Sequence, residues 1–86
     1  MTADTSKDEV MSVVKKHLVD SVEGLNPEAI DPSLSMRDLG ADSLDMVEVV
    51  SASMRELKVK VPRTELSKLD NIGALVDLLY AATRSN

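Results

Sequence analysis

Aliphatic side chains recur at helical spacing in three segments, and this recurrence constrains the fold more than any other feature of the chain. A repeat of about 3.6 residues puts such side chains on one face of a helix, where they can pack into a core. The three sets are Val10, Val13, Val14, Leu18 and Val22; Val47, Val50, Met54 and Leu57; and Ile72, Leu75, Val76 and Leu79. The sequence therefore predicts three amphipathic helices.

Polar residues and glycine mark the ends of these helices. Ser6 followed by Glu9 fits a capping box, in which each side chain satisfies a free backbone amide at the start of the first helix. Gly24 is suited to end that helix, because glycine readily leaves the helical conformation. Asn71 is placed to cap the last helix.

The segments between the helices contain residues that break regular structure. Residues 25–42 include prolines and Gly40, so we expect a long loop there, with a short turn of helix around 33–37. Pro62 opens a short additional helix before the last one. The predicted fold is all-α: a four-helix bundle with a long first loop and a short third helix.

The composition favours one small domain with an aliphatic core. The chain has 86 residues and Tyr80 is its one aromatic side chain, so Val, Leu, Ile and Met must fill the interior. We assign residues 7–82 to the domain, 1–6 to a flexible N-terminus and 83–86 to a C-terminal tail.

Cysteine is absent, which excludes disulfides, thiolate catalysis and cysteine-bound zinc. No segment resembles a signal peptide, and no apolar run is long enough to span a membrane. We therefore expect a cytoplasmic monomer that does not bind membranes.

Charge is distributed unevenly along the chain, whose net charge is −5. Residues 31–50 are strongly acidic, whereas residues 51–68 are basic. Nucleic acid is excluded as a ligand, because binding it requires a cationic face or stacking aromatic side chains. Partners that contact residues 31–50 are expected to present Lys and Arg.

Ser43 is the candidate functional residue. The second helix is expected to begin at Asp42 or Ser43, directly after the turn at Gly40. A serine in this position exposes its hydroxyl beside the free amides of a helix start, where an attached phosphodiester is tolerated. By itself, the same position is typical of a simple helix cap. Asp42 and Asp45 could share a transient divalent ion, but they are too few for a permanent metal site.

The string Asp38-Leu39-Gly40-Ala41-Asp42-Ser43-Leu44-Asp45 closely resembles the phosphopantetheine attachment site of acyl carrier proteins. The resemblance extends over residues 7–82. It implies that a phosphopantetheinyl transferase moves 4'-phosphopantetheine from coenzyme A to Ser43. Acyl groups would then be carried as thioesters on the terminal thiol of that arm, so the chain itself would have no catalytic residue and no resident metal.

The resemblance also implies a docking surface for basic partner enzymes at the start of the second helix. Its residues are Asp42, Leu44, Asp45, Met46, Val47 and Glu48. Arg63, beside Lys58, Lys60 and Lys68, forms a basic edge that could influence which partner docks. A plain solvated face explains that edge equally well.

Two later segments indicate a pathway. Residues 61–66 and 71–75 differ from fatty acid synthesis carriers and resemble freestanding polyketide carriers, particularly those that donate an acetyl-type unit for β-branching. The implied partners are acyltransferases and ketosynthase-type enzymes, or an enzyme similar to hydroxymethylglutaryl-CoA synthase. Ser53 falls where fatty acid carriers have an apolar residue, which suggests a pocket suited to short cargo.

Several alternatives remain open at this point. A fatty acid synthesis carrier and a peptidyl carrier of nonribosomal synthesis would share the fold and the serine. A helical interaction module would use Ser43 as a cap alone. A small hydrolase is disfavoured because nothing in the sequence links Ser43 to a base, and His17 is interpreted as a structural surface residue.

Overall fold

The computed structural model describes residues 6–66 and 69–85, without the side chains of Arg63 and Ser85. Within these ranges it contains four α-helices and no strand. The helices are α1 (Lys7–Ser21), α2 (Ser43–Leu57), α3 (Arg63–Leu66) and α4 (Ile72–Ser85). The predicted all-α fold, with its long first loop and short third helix, is confirmed. Residues 1–5 of the predicted flexible N-terminus lie outside the described residues.

The core lies between the three long helices, with α1 packed against both α2 and α4. It is aliphatic, as the near-absence of aromatic residues requires, and loop residues complete it. Buried apolar side chains include Val10, Val14, Leu18, Ile30, Val49, Val50, Val59, Ile72, Leu75, Val76 and Leu79. The predicted inner faces of the first and last helices are therefore largely confirmed.

The inner face of α2 includes the predicted Val50, Met54 and Leu57 but differs from the prediction at one position. Val47 was assigned to the apolar stripe, but its side chain is 55% exposed. Val49 is fully buried in its place, and Ser53 lies one helical turn further along the same buried face. The segment offers valine at three closely spaced positions, so the apolar pattern fits two helix faces, and packing against α1 selects one of them.

The long loop is attached to the first turn of α4 by backbone hydrogen bonds. The amide of Ile72 donates to the carbonyl of Leu34 at 2.9 Å, and the amide of Gly73 donates to the carbonyl of Pro32 at 2.8 Å. A Cβ at Gly73 would lie 3.2 Å from the Pro32 oxygen, so glycine permits this close approach. Amides that a helix start leaves unpaired thus hold the loop in place.

Short 3₁₀ helices occupy the loop at Pro27–Ala29 and Arg37–Leu39, rather than the single turn predicted around 33–37. The first begins where the Asn26 side chain accepts a hydrogen bond from the Glu28 amide at 2.9 Å. Local side-chain caps of this kind determine where such short helices start.

Helix α1 ends earlier than predicted, and α4 extends into the segment assigned to the C-terminal tail. Helix α1 ends at Ser21, three residues before Gly24, which adopts the left-handed conformation (φ 80°) in the following turn. Helix α4 continues to Ser85, beyond the boundary at residue 82. The last turn contains neither glycine nor proline to end it.

Glu56 joins α2 to α1 through a shared ionic contact. Its carboxylate lies 2.6 Å from the Lys16 ammonium and 2.9 Å from Nε2 of His17. Hydrogen bonds from Lys16 and then from His17 lower the pKa of Glu56 below its ordinary value. The sequence prediction of a structural role for His17 agrees with this contact.

Ser53 is the one buried polar side chain without a hydrogen-bond partner among the described residues. It is completely buried, and its hydroxyl oxygen contacts no donor or acceptor there. Burying an unpaired hydroxyl costs about 1–3 kcal/mol. This position therefore reduces the stability of the bundle.

Replacing Ser53 by alanine should raise the free energy of unfolding, because it removes the unpaired hydroxyl. The matched control is Ser51→Ala on the same helix, where the side chain is half-buried and the change in helix propensity is identical. In urea unfolding, we expect the free energy of unfolding of Ser53→Ala to exceed that of Ser51→Ala by about 1 kcal/mol. Equal effects of the two substitutions would contradict the assignment of Ser53 as unpaired.

Candidate functional site

The turn before α2 is built by local hydrogen bonds and one glycine. Ser35 and Asp38 cap each other: the Ser35 amide donates to the Asp38 carboxylate, and the Asp38 amide donates to the Ser35 hydroxyl, both at 3.0 Å. Gly40 then adopts a left-handed conformation (φ 98°) that most side chains disfavour. The chain therefore reverses sharply and enters α2 three residues later, at Ser43.

A reciprocal capping box starts α2. The Asp45 amide donates to the Asp42 carboxylate at 2.9 Å, and the Asp42 amide donates to the Asp45 carboxylate at 3.2 Å. Both acidic side chains thus satisfy backbone donors and also place negative charge at the positive end of the helix dipole. The capping roles explain this pair of aspartates without a metal ion. No cluster of three or more metal-binding side chains occurs among the described residues.

Ser43 is the first residue of α2, and it does not cap the helix. Asp42 occupies the cap position, and the Ser43 hydroxyl has no hydrogen-bond partner within residues 6–66 and 69–85. The side chain is exposed. The simple capping role that the sequence left open is therefore filled by the neighbouring residue, and the hydroxyl is available for covalent chemistry.

An apolar groove of about 580 Å³ includes Ser43 in its lining and lies between α2 and the later part of the chain. Other lining residues are Met46, Val50, Met54, Leu66, Leu69 and Leu75. Ser53 is not among the residues that line this groove, whereas Ser51 is. The prediction that Ser53 narrows the pocket is therefore wrong. The inference of short cargo, which rested on Ser53, no longer has support from this residue.

The residues expected to form the docking surface differ in exposure. Leu44 is 79% exposed and Val47 is 55% exposed, which is unusual for large apolar side chains. Asp42 and Glu48 are also exposed beside them. Asp45 and Met46 are half-buried, the first in the capping box and the second in the groove lining.

The basic edge is described in part. Lys58 and Lys60 are exposed. The Arg63 side chain and Lys68 lie outside the described residues, so the predicted role of Arg63 remains a prediction. None of the helices in the described ranges has the length and apolarity required to cross a bilayer.

Comparison with known proteins identifies the class. Residues 16–79 match the family model described as the phosphopantetheine attachment site, which covers well over half of the chain. The chain therefore belongs to this family. It is a carrier protein that holds 4'-phosphopantetheine covalently, and the exposed hydroxyl beside a roomy groove fits such a group.

Two more specific similarities follow. The chain is 32% identical over 79 residues to the polyketide biosynthesis acyl-carrier-protein AcpK of Bacillus subtilis (strain 168), covering 92% of this chain and 96% of that protein. It also matches a crystal structure of the curacin biosynthetic pathway HMG synthase in complex with its acetyl donor acyl carrier protein. That match has a TM-score of 0.80 and 34% identity, and it covers 90% of this chain and 99% of the matched chain.

Sequence reasoning did not identify the polar residues of the groove. Ser35, Ser51, Asp70 and Asn71 all contribute to its lining, but they come from three separate parts of the chain. Asn71 was recognised for capping α4, which is confirmed by the 2.7 Å hydrogen bond from the Ala74 amide to its side chain. Asn71 also lines the groove, and this second position depends on tertiary packing rather than on a local sequence pattern.

Replacing Asp42 by alanine should destabilise the protein by about 1 kcal/mol, because the cap of α2 is lost. Replacing Ser43 by alanine should change stability by less than about 0.5 kcal/mol, since its hydroxyl is exposed and unbonded. Urea unfolding of both variants tests this contrast. A comparable loss in Ser43→Ala would show that the serine caps the helix after all.

Proposed function

We propose that this carrier serves polyketide assembly and holds its acyl group as a thioester on a phosphopantetheine arm attached to Ser43. The observation that carries the assignment of Ser43 is its exposed, unbonded hydroxyl at the first position of a capped helix. The terminal thiol of the arm supplies the chemistry that a chain without cysteine lacks. The chain itself positions the arm and presents it to partners.

The local structure suits a phosphodiester at Ser43. The capping box fixes the backbone of the first turn, so the serine oxygen projects from a rigid element. The positive end of the helix dipole favours the phosphate, although the two capping aspartates offset part of that effect. The modifying partner would be a phosphopantetheinyl transferase that uses coenzyme A.

Attachment can be tested by incubating the protein with a broad-specificity phosphopantetheinyl transferase, coenzyme A and Mg²⁺, then measuring its intact mass. We expect a gain equal to one phosphopantetheine group, which Ser43→Ala abolishes. The matched control is Ser12→Ala, at another exposed helical serine, which should be modified like the unaltered protein. A gain that persists in Ser43→Ala would disprove the assignment.

The pathway is proposed from two supports. One is the likeness of residues 61–66 and 71–75 to polyketide carriers that donate a short acyl unit for β-branching. The other is the similarity to a polyketide carrier and to the acetyl donor carrier bound to an HMG synthase. We therefore propose an enzyme of the HMG synthase type as a partner, along with acyltransferases and ketosynthase-type enzymes. Carriage in fatty acid or nonribosomal peptide synthesis is the alternative that loading assays would reveal.

The proposed docking surface comprises Asp42, Leu44, Asp45, Met46, Val47 and Glu48. Its centre is apolar, because Leu44 and Val47 are well exposed, and acidic side chains lie around it. A matching partner would bury the two aliphatic side chains and present Lys or Arg to the carboxylates. The basic edge at Arg63 and the cytoplasmic location stay predictions.

Charge reversal at Glu48 tests this surface better than reversal at Asp45, because Asp45 also caps α2. We expect Glu48→Lys to slow acyl transfer with a partner enzyme by about 3- to 10-fold at low salt and to weaken its dependence on ionic strength. Glu23→Lys, which makes the same charge change at an exposed residue outside the surface, is the control. Equal rates for both variants would argue against docking through α2.

A further inference from the structure

The groove beside Ser43 is apolar for most of its lining, but Asn71 is one of its polar lining residues. Asn71 is half-buried at the start of α4. Its carboxamide has one acceptor oxygen and an NH₂ group with two donor hydrogens.

The oxygen of the Asn71 carboxamide already has a hydrogen-bond partner. Its Oδ1 accepts a hydrogen bond from the Ala74 amide at 2.7 Å, which fixes the side chain in a single orientation. The NH₂ group must then point away from α4's first turn. Within residues 6–66 and 69–85, it has no acceptor. A donor without a partner among the described residues is thus left in a residue that lines the groove.

The backbone around Asn71 offers no competing donor. The amides of Ile72 and Gly73 donate to loop carbonyls, and the amide of Leu75 donates to the Asn71 carbonyl at 3.2 Å. The start of α4 is therefore not an anion site. Asp70 also lines the groove, and its carboxylate would repel a negatively charged group. The acceptor that fits here is a neutral carbonyl oxygen.

We propose that Nδ2 of Asn71 donates a hydrogen bond to a neutral carbonyl oxygen carried into the groove on the arm at Ser43. This inference rests on the proposed function. Two sources can supply such an oxygen: the amide carbonyls of the arm itself, or a keto group of the cargo. In the second case Asn71 is a specificity residue that favours ketoacyl over alkyl cargo in the groove.

The side-chain NH₂ signals of ¹⁵N-labelled protein report this bond directly. The chain has three asparagines and no glutamine, so few such signals occur. Asn26 is the internal control, because its Oδ1 also caps a helix start, at 2.9 Å from the Glu28 amide, but it does not line the groove. Four forms are compared: unmodified, with the arm alone, with butyryl cargo and with acetoacetyl cargo.

A shift of the Asn71 NH₂ signals on attachment of the arm alone would identify the amide carbonyls as acceptor. A shift confined to the acetoacetyl form would identify the keto group, since butyryl has the same chain length without it. The Asn26 signals should stay unchanged throughout. Asn71 signals that do not move in any of the three modified forms would overturn the proposal.

A second measurement uses thioester hydrolysis. Asn71→Ser keeps a capping oxygen but removes the NH₂ donor, and Asn26→Ser makes the same change outside the groove. If the cargo keto group is the acceptor, Asn71→Ser should speed acetoacetyl hydrolysis by about 2- to 10-fold and leave butyryl hydrolysis unchanged, as expected for one net hydrogen bond. If the arm is the acceptor, both rates should rise. Unaltered rates for both cargoes would count against the proposal.

The carrier assignment and the Asn71 hydrogen bond can be disproved separately. Absence of a mass gain on modification at Ser43 would reject the carrier assignment. A normal mass gain with unmoved Asn71 signals would reject the hydrogen bond alone. Thermal unfolding of Asn71→Ser, together with Asn71→Asp as a second capping variant, checks that any change in hydrolysis does not come from loss of α4.

Discussion

The reciprocal capping of Asp42 and Asp45 is the interaction on which the functional site depends. Because the two aspartates accept hydrogen bonds from each other's backbone amides and so cap α2, the serine between them is not needed as a cap. Its hydroxyl is left exposed on a rigid helix end. A carrier needs this combination, since the attachment atom must be accessible to a modifying enzyme while its backbone stays fixed.

A second constraint is the attachment of the long loop to α4. Two backbone hydrogen bonds join Pro32 and Leu34 to the first turn of α4, and Gly73 allows the close approach. The loop then contributes Ser35 and Met36 to the same groove as Ser43. The loop is therefore structured because it satisfies amides that a helix start would otherwise expose, and this also brings distant parts of the chain to one site.

The surface around Ser43 combines features that are rarely exposed together. Leu44 and Val47 are apolar and exposed, and acidic side chains lie near them in sequence on the same helix. Val47 is exposed because α2 turns Val49 and Ser53 toward the core. This choice of face also buries Ser53 without a hydrogen-bond partner among the described residues, which costs stability.

The sequence by itself determined the helical fold, the turn at Gly40 and the serine that follows it, because periodicity, capping residues and a family motif are all local patterns. It did not determine that Val49 rather than Val47 is buried on α2, since both fit a helical stripe. It also could not assign the cap to Asp42 rather than Ser43, or bring Asn71 to the groove. Those outcomes depend on hydrogen-bond geometry and on packing between segments far apart in the chain, which only the tertiary structure decides.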